Sequence, residues 1–208
     1  MSFTTDELPP RDSGYLGSFH CLFRHSPWLI RNPTHARFTQ HYPPPGVPGQ
    51  TTTHAFRSSV EFDLGYQVSL GPLKFVVPVR RKASADAAVE VDVTLRSVDP
   101  ADGTRRFDTQ LKKLDSAPIR FALGPFSTTA LLALSDERDS KGTTSIRRRP
   151  DGRFDIASHF DVATKLSFDG GRTWHHSETK DHKPCAAPMD LDPEPKFPPV
   201  LPNIPPSG

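Results

Sequence analysis

The sequence predicts an all-β fold: an antiparallel β-sandwich with a long irregular N-terminal tail and a proline-rich C-terminal tail. Three observations carry that expectation. Apolar and polar residues alternate with period two, most cleanly in Val89-Glu90-Val91-Asp92-Val93-Thr94-Leu95, which turns a Val/Leu face inward. Turn-forming clusters such as Asp99-Pro100-Ala101-Asp102-Gly103 and Pro150-Asp151-Gly152 punctuate the chain at the spacing of about 8–12 residues typical of sandwiches. No segment carries a long amphipathic helical pattern.

Residues 1–50 read as an N-terminal extension without regular structure, rich in aromatics and histidines: Phe19, His20, Phe23, His25, Trp28, His35, Phe38, His41 and Tyr42. The PPPGVPG run at 43–49 is a stiff linker that cannot sit inside a strand. The sandwich domain is expected over 51–182. Its predicted strands are 58–68, 74–81, 89–95, 105–114 and 119–123. Residues 128–134 are continuously apolar, which fits a central strand or a short buried helix. A turn at 139–142, a strand at 143–149 and a strand at 153–168 follow. Residues 183–208 form a C-terminal strap with nine prolines, predicted as extended polyproline II with Phe197, Val200, Leu201 and Ile204 as apolar studs.

The stretch 154–174, FDIASHFDVATKLSFDGGRTW, is the most specific local signal. Phe160, Val162, Thr164, Leu166 and Phe168 share one face, and Asp169-Gly170-Gly171 supplies a turn in which glycine takes positive φ without steric cost. Ser167, Asp169, Gly171, Thr173 and Trp174 complete the S-x-D-x-G-x-T-W pattern of an Asp box, with Trp174 as a lid over the turn. As chemistry, an Asp box points to a sialidase-type glycan enzyme. As structure it is a turn, and one copy outside a repeat is read as a turn.

Composition bounds the rest. A chain of 208 residues suits one domain with appendages, and a net charge of +2 carries no bulk nucleic-acid footprint. The 23 prolines are concentrated in the two tails. The N-terminus shows no basic region followed by an apolar one, and no run of 18 apolar residues spans a bilayer. The expected location is therefore the cytoplasm or a larger particle, without Sec export. Cys21 and Cys185 lie in opposite tails and read as free thiols.

His175, His176, His182 and Cys185 offer four nitrogen and sulfur ligands to zinc, but the spacing follows no zinc pattern and Pro184 interrupts it. The expectation is no cofactor, with zinc as the alternative. His20, Cys21 and His25 make a second, weaker cluster. No G-x-S-x-G elbow is present, and His159-Phe160-Asp161 is strand alternation. The basic runs Arg80-Arg81-Lys82, Arg105-Arg106, Lys112-Lys113 and Arg147-Arg148-Arg149 read as solvated strand ends, with phosphate or an acidic partner as the other reading.

The order FDTQLKKLD (107–115), SDERDSKGTTSI (135–146) and RFDIASHFDVATKLSFDGGRTW (153–174) resembles a β-rich domain of bacterial secreted or surface-anchored proteins, some with a PEP-CTERM-type sorting signal. The resemblance covers residues 51–178. It implies a structural or display module without catalytic residues, and a surface location that the absence of a signal peptide here does not share.

The functional expectation is a non-enzymatic structural or assembly subunit. Phe19, Phe23, Trp28, Phe38 and Tyr42 would dock in grooves of a protein partner or a neighbouring subunit, and Phe197, Leu201 and Ile204 would latch a neighbour. A glycan- or ligand-binding module is the alternative, and a zinc-dependent enzyme the third reading. Neither nucleic acid nor a membrane span enters any of them.

Overall fold

The computed structural model describes residues 2–5, 14–16, 20–37, 39, 43–123, 126–178 and 189–192. It is all-β and antiparallel, with no helix among the described residues. The strands are β1 (Ser2–Thr5), β2 (Gly14–Leu16), β3 (His20–Leu22), β4 (Trp28–Ala36), β5 (Thr51–Leu70), β6 (Leu73–Val98), β7 (Arg105–Ser116), β8 (Ile119–Leu123), β9 (Phe126–Leu134), β10 (Ser140–Arg148), β11 (Phe154–Asp161), β12 (Thr164–Ser167), β13 (His175–His176) and β14 (Met189–Asp192). Hydrogen bonding joins them in one sheet, β1-β11-β14-β2-β4-β5-β6-β7-β9-β12-β13, with β10 between β7 and β11. The sheet curls into a half-barrel. This is the all-β antiparallel class expected from the sequence, with the strands hydrogen-bonded as one curled sheet.

The core follows from strand alternation. In β6 the odd-numbered residues from Ala83 to Leu95 are all buried, while the even-numbered ones are exposed or half-buried. Across from them, Val60, Phe62 and Leu64 of β5 enter the same cluster, with Phe107, Leu111 and Leu114 of β7 and Ile156 of β11. The residue 128–134 alternative resolves as strand β9, which pairs with β12 along Leu131↔Ser167 to Leu134↔Thr164.

Several segments depart from the sequence expectation: β1, β2 and β3 fall in the supposed irregular extension, β14 falls in the supposed polyproline strap, and the strands expected at 74–81 and 89–95 are one continuous β6. Trp28–Ala36 of the supposed irregular extension is a strand paired to β5 from Trp28↔Tyr66 to Ala36↔Ser59. Pro33 is tolerated there because the register shifts between Arg31 and Thr34, so the missing N–H falls in a bulge. The turn expected at 139–142 comes earlier, since residues 136–138 bend and β10 begins at Ser140. The strand expected at 153–168 is split at Val162-Ala163, where the chain leaves β10 and joins β9. Ala163 fixes that crossing: its N–H donates to Ser140 Oγ at 2.9 Å, and its carbonyl accepts from Ser135 N at 2.9 Å.

β5 and β6 form one long hairpin, closed by the two-residue loop Gly71-Pro72 between Leu70 and Leu73. Gly71 has φ 60°, which a glycine-first tight hairpin loop requires.

Candidate functional site

The end of that hairpin projects as an arm. At its root the β5–β6 register shifts on both sides of Leu64. Lys82 takes a positive φ of 50° there, and its N–H donates to Asp63 Oδ1 at 2.9 Å. Asp63 Oδ2 also accepts from Asn32 Nδ2 at 3.2 Å, so one carboxylate clasps the irregular segments of β4 and β6. A bulge of this kind bends and twists its strand, and here it marks where the arm leaves the body.

Beyond the bulge the pairs Tyr66↔Val77, Val68↔Phe75 and Leu70↔Leu73 face one way, while Gln67↔Val76 and Ser69↔Lys74 face the other. The first face is wholly apolar. It continues the core face of Val60, Phe62 and Leu64 along β5, because the residues share its parity. Burial does not continue with it: Leu64 is 1% exposed, whereas Leu70 is 64%, Leu73 59%, Phe75 48% and Val77 48%. These side chains form one exposed apolar patch, and the largest such patch on a protein is often functional. Residues 64–82 hold four cations, Lys74, Arg80, Arg81 and Lys82, and no carboxylate.

An aromatic cluster secures the root. Trp28 meets Tyr66 edge-on at 5.1 Å between centroids, Phe168 at 4.5 Å and Phe121 at 5.9 Å. This corrects the docking role expected of two N-terminal aromatics. Phe23 is fully buried, bridged to Ser177, and belongs to the core cluster. Trp28 is half-buried against the same cluster. Both satisfy their apolar surface within this chain. Phe19, Phe38, Tyr42, Phe197, Leu201 and Ile204 lie outside the described residues.

Residues 167–174 form a closed polar corner. Ser167 Oγ donates to Asp169 Oδ1 at 2.8 Å and accepts from Gly171 N at 2.9 Å. Asp169 Oδ1 also accepts from the N–H groups of Thr173 and Arg172, at 2.9 and 3.0 Å. The Thr173 amide, foremost among these donors, pulls the Asp169 carboxyl down to about 2. Gly170 and Gly171 take φ 75° and 90°. Trp174 lies against Gly171, and Lys165 stands 5.0 Å over its ring. Every donor and acceptor named here serves the turn itself.

Of the expected zinc set, the described residues include His175 and His176. His175 and His176 are adjacent on β13 and point to opposite faces. The His175 Nδ1 lies 3.3 Å from the Arg24 carbonyl, and His182 and Cys185 fall outside the described residues. Among the described residues no group of three His, Cys, Asp or Glu side chains is placed to hold a metal. His176 instead joins a cluster that sequence spacing did not reveal. Its Nδ1 lies 2.9 Å from Ser135 Oγ, its Nε2 3.6 Å from Glu137 Oε1, and Glu137 pairs with Arg24. Burial holds the His176 imidazole below its ordinary value, against the pull of Asp136. Ser135 is 7% exposed and already accepts the Glu137 N–H at 3.3 Å. The arrangement latches β13 to the 135–138 corner.

The basic run at 147–149 is engaged locally: Arg147 Nη2 meets Asp155 Oδ2 at 2.7 Å, and Arg149 meets the same carboxylate at 3.3 Å. No helix among the described residues is long and apolar enough to cross a membrane.

Compared with known proteins, the chain matches no family model, no curated protein and no solved structure. The functional reading therefore stands on the geometry above.

Proposed function

We propose that this chain is a non-enzymatic assembly subunit that docks onto neighbouring copies of itself. The observation that carries the reading is the arm: an apolar sheet face that leaves the body at Asp63 and ends uncovered at Leu70 and Leu73. A two-stranded hairpin is marginal in water unless its apolar face packs on something. The resemblance of residues 51–178 to a structural or display module points the same way. The N-terminal aromatics outside the described residues, Phe19, Phe38 and Tyr42, and the strap residues Phe197, Leu201 and Ile204 supply further apolar contacts in this reading.

Light scattering on a sizing column, across a dilution series of the full chain, tests it. The expected result is a mass at a multiple of 23.0 kDa that falls on dilution. A constant 23.0 kDa at all concentrations sinks self-assembly.

A further inference from the structure

We propose that the apolar face of the arm is the seat of the proline-rich segment, residues 193–208, of a neighbouring copy, a proposal that names the contact within the assembly reading above and rests on it. Three features of the arm select an extended, proline-rich peptide with an uncharged apolar stretch over other occupants.

The first is shape. The face is two strands wide and five residues long, about 10 Å by 15–20 Å. A stable interface between folded bodies takes about 800 Å² from each partner, more than this face offers. An extended peptide needs no more than a strip of this size.

The second is chemistry. Tyr66 and Phe75 stand among aliphatic side chains on the face, and Trp28 backs Tyr66 at 5.1 Å. Prolines dock on aromatic-lined surfaces with little entropic loss, because a polyproline II chain is already extended. Residues 193–208, PEPKFPPVLPNIPPSG, hold seven prolines together with Phe197, Val200, Leu201 and Ile204. From Phe197 to Ile204 such a chain runs about 22 Å, comparable to the length of the face.

The third is charge. The docking face carries no charged side chain, and Lys74, the arm's cation beyond the bulge, belongs to the opposite face. From residue 197 onward the strap also has no charged side chain. An anionic lipid surface would instead draw its cations onto the docking side.

A fluorescein-labelled peptide of residues 193–208 tests this by anisotropy. The receptor is the full-length chain with Leu201→Ser and Ile204→Ser in its own strap, so that its seat is vacant. Expected is saturable binding, at least tenfold weaker for a receptor that also carries Phe75→Asp and for a peptide with Phe197→Ser. Phe75 is 48% exposed, so its substitution spares the fold, and the peptide substitution leaves the receptor untouched. Absence of binding, or binding indifferent to both changes, overturns the proposal. Phe75-dependent capture of the receptor by phosphatidylglycerol vesicles, with no peptide binding, also overturns it and gives the arm to lipid. A chain that assembles but ignores the peptide loses this proposal alone. A chain that binds the peptide yet stays at 23.0 kDa loses the assembly reading instead.

Discussion

Two hairpins of this molecule solve the same problem differently. At the 167–174 corner, Ser167 and Asp169 take up the N–H groups of Gly171, Arg172 and Thr173, and Trp174 covers the corner. The β5–β6 arm closes through the bare Gly71-Pro72 loop and leaves its apolar face open. The corner is finished within one chain, and the arm is not. Leu64 and Leu70 sit on the same face of the same strand, six residues apart, at 1% and 64% exposure. Alternation decides which way a side chain points. Whether it is buried depends on what stands opposite, and nothing in this chain's described residues stands opposite the arm.

The largest expected effect tests that contrast directly. Leu64→Ala should cost about 2–5 kcal/mol in urea unfolding, through lost transfer energy and a cavity. With Leu201→Ser and Ile204→Ser emptying the seat, Leu73→Ala on the arm should shift stability by less than about 0.5 kcal/mol. Equal costs would mean the arm is covered in the free chain.

The body should also carry the main pH dependence. His35 is buried with its Nε2 2.6 Å from Ser58 Oγ, and desolvation lowers its pKa to about 4. Its neutral form is favoured in the fold. Between pH 6.5 and 4 the unfolded chain therefore binds a proton that the native chain refuses, and stability falls as pH drops through that window. The loss should approach about 3 kcal/mol. Titrating unfolding free energy with pH checks it, and His35→Gln should flatten that slope.

Turn chemistry comes next. Gly170→Val should cost about 1–2 kcal/mol, because a β-branched residue is strained at φ 75° although the space around it is open. An unchanged melting temperature would refute the turn assignment.

Asp169 gives the smallest effect. Its folded pKa of about 2 lies below the ordinary carboxylate value of 3.8, so its contribution is complete above pH 4 and is lost as pH falls toward 2. Asp169→Asn should remove that acid-limb slope in melts run between pH 4 and 2.

Much of this architecture was legible from residue patterns. The Val89–Leu95 alternation and the turns at Asp99–Gly103, Pro150–Gly152 and Asp169–Gly171 all depend on neighbours in sequence, and all appear in place. Contacts that depend on distant residues were hidden. Trp28 looks like an exposed anchor in a histidine-rich tail, yet it completes a cluster with Phe121 and Phe168, which lie 93 and 140 residues away in the chain. Ser135 and His176 meet only because β9 and β13 both pair with β12. The arm's strands were readable, with Gly71-Pro72 between two apolar alternations, but the same alternation occurs in the core. Its exposure has no local signature.

The most direct test of the central claim compares the solution mass of the full chain with that of its Phe75→Asp variant by light scattering. The account predicts an assembly for the native chain and 23.0 kDa for the variant, with the β-sheet circular-dichroism spectrum unchanged. Identical masses for the two would contradict it, since the arm would then play no part in holding copies together.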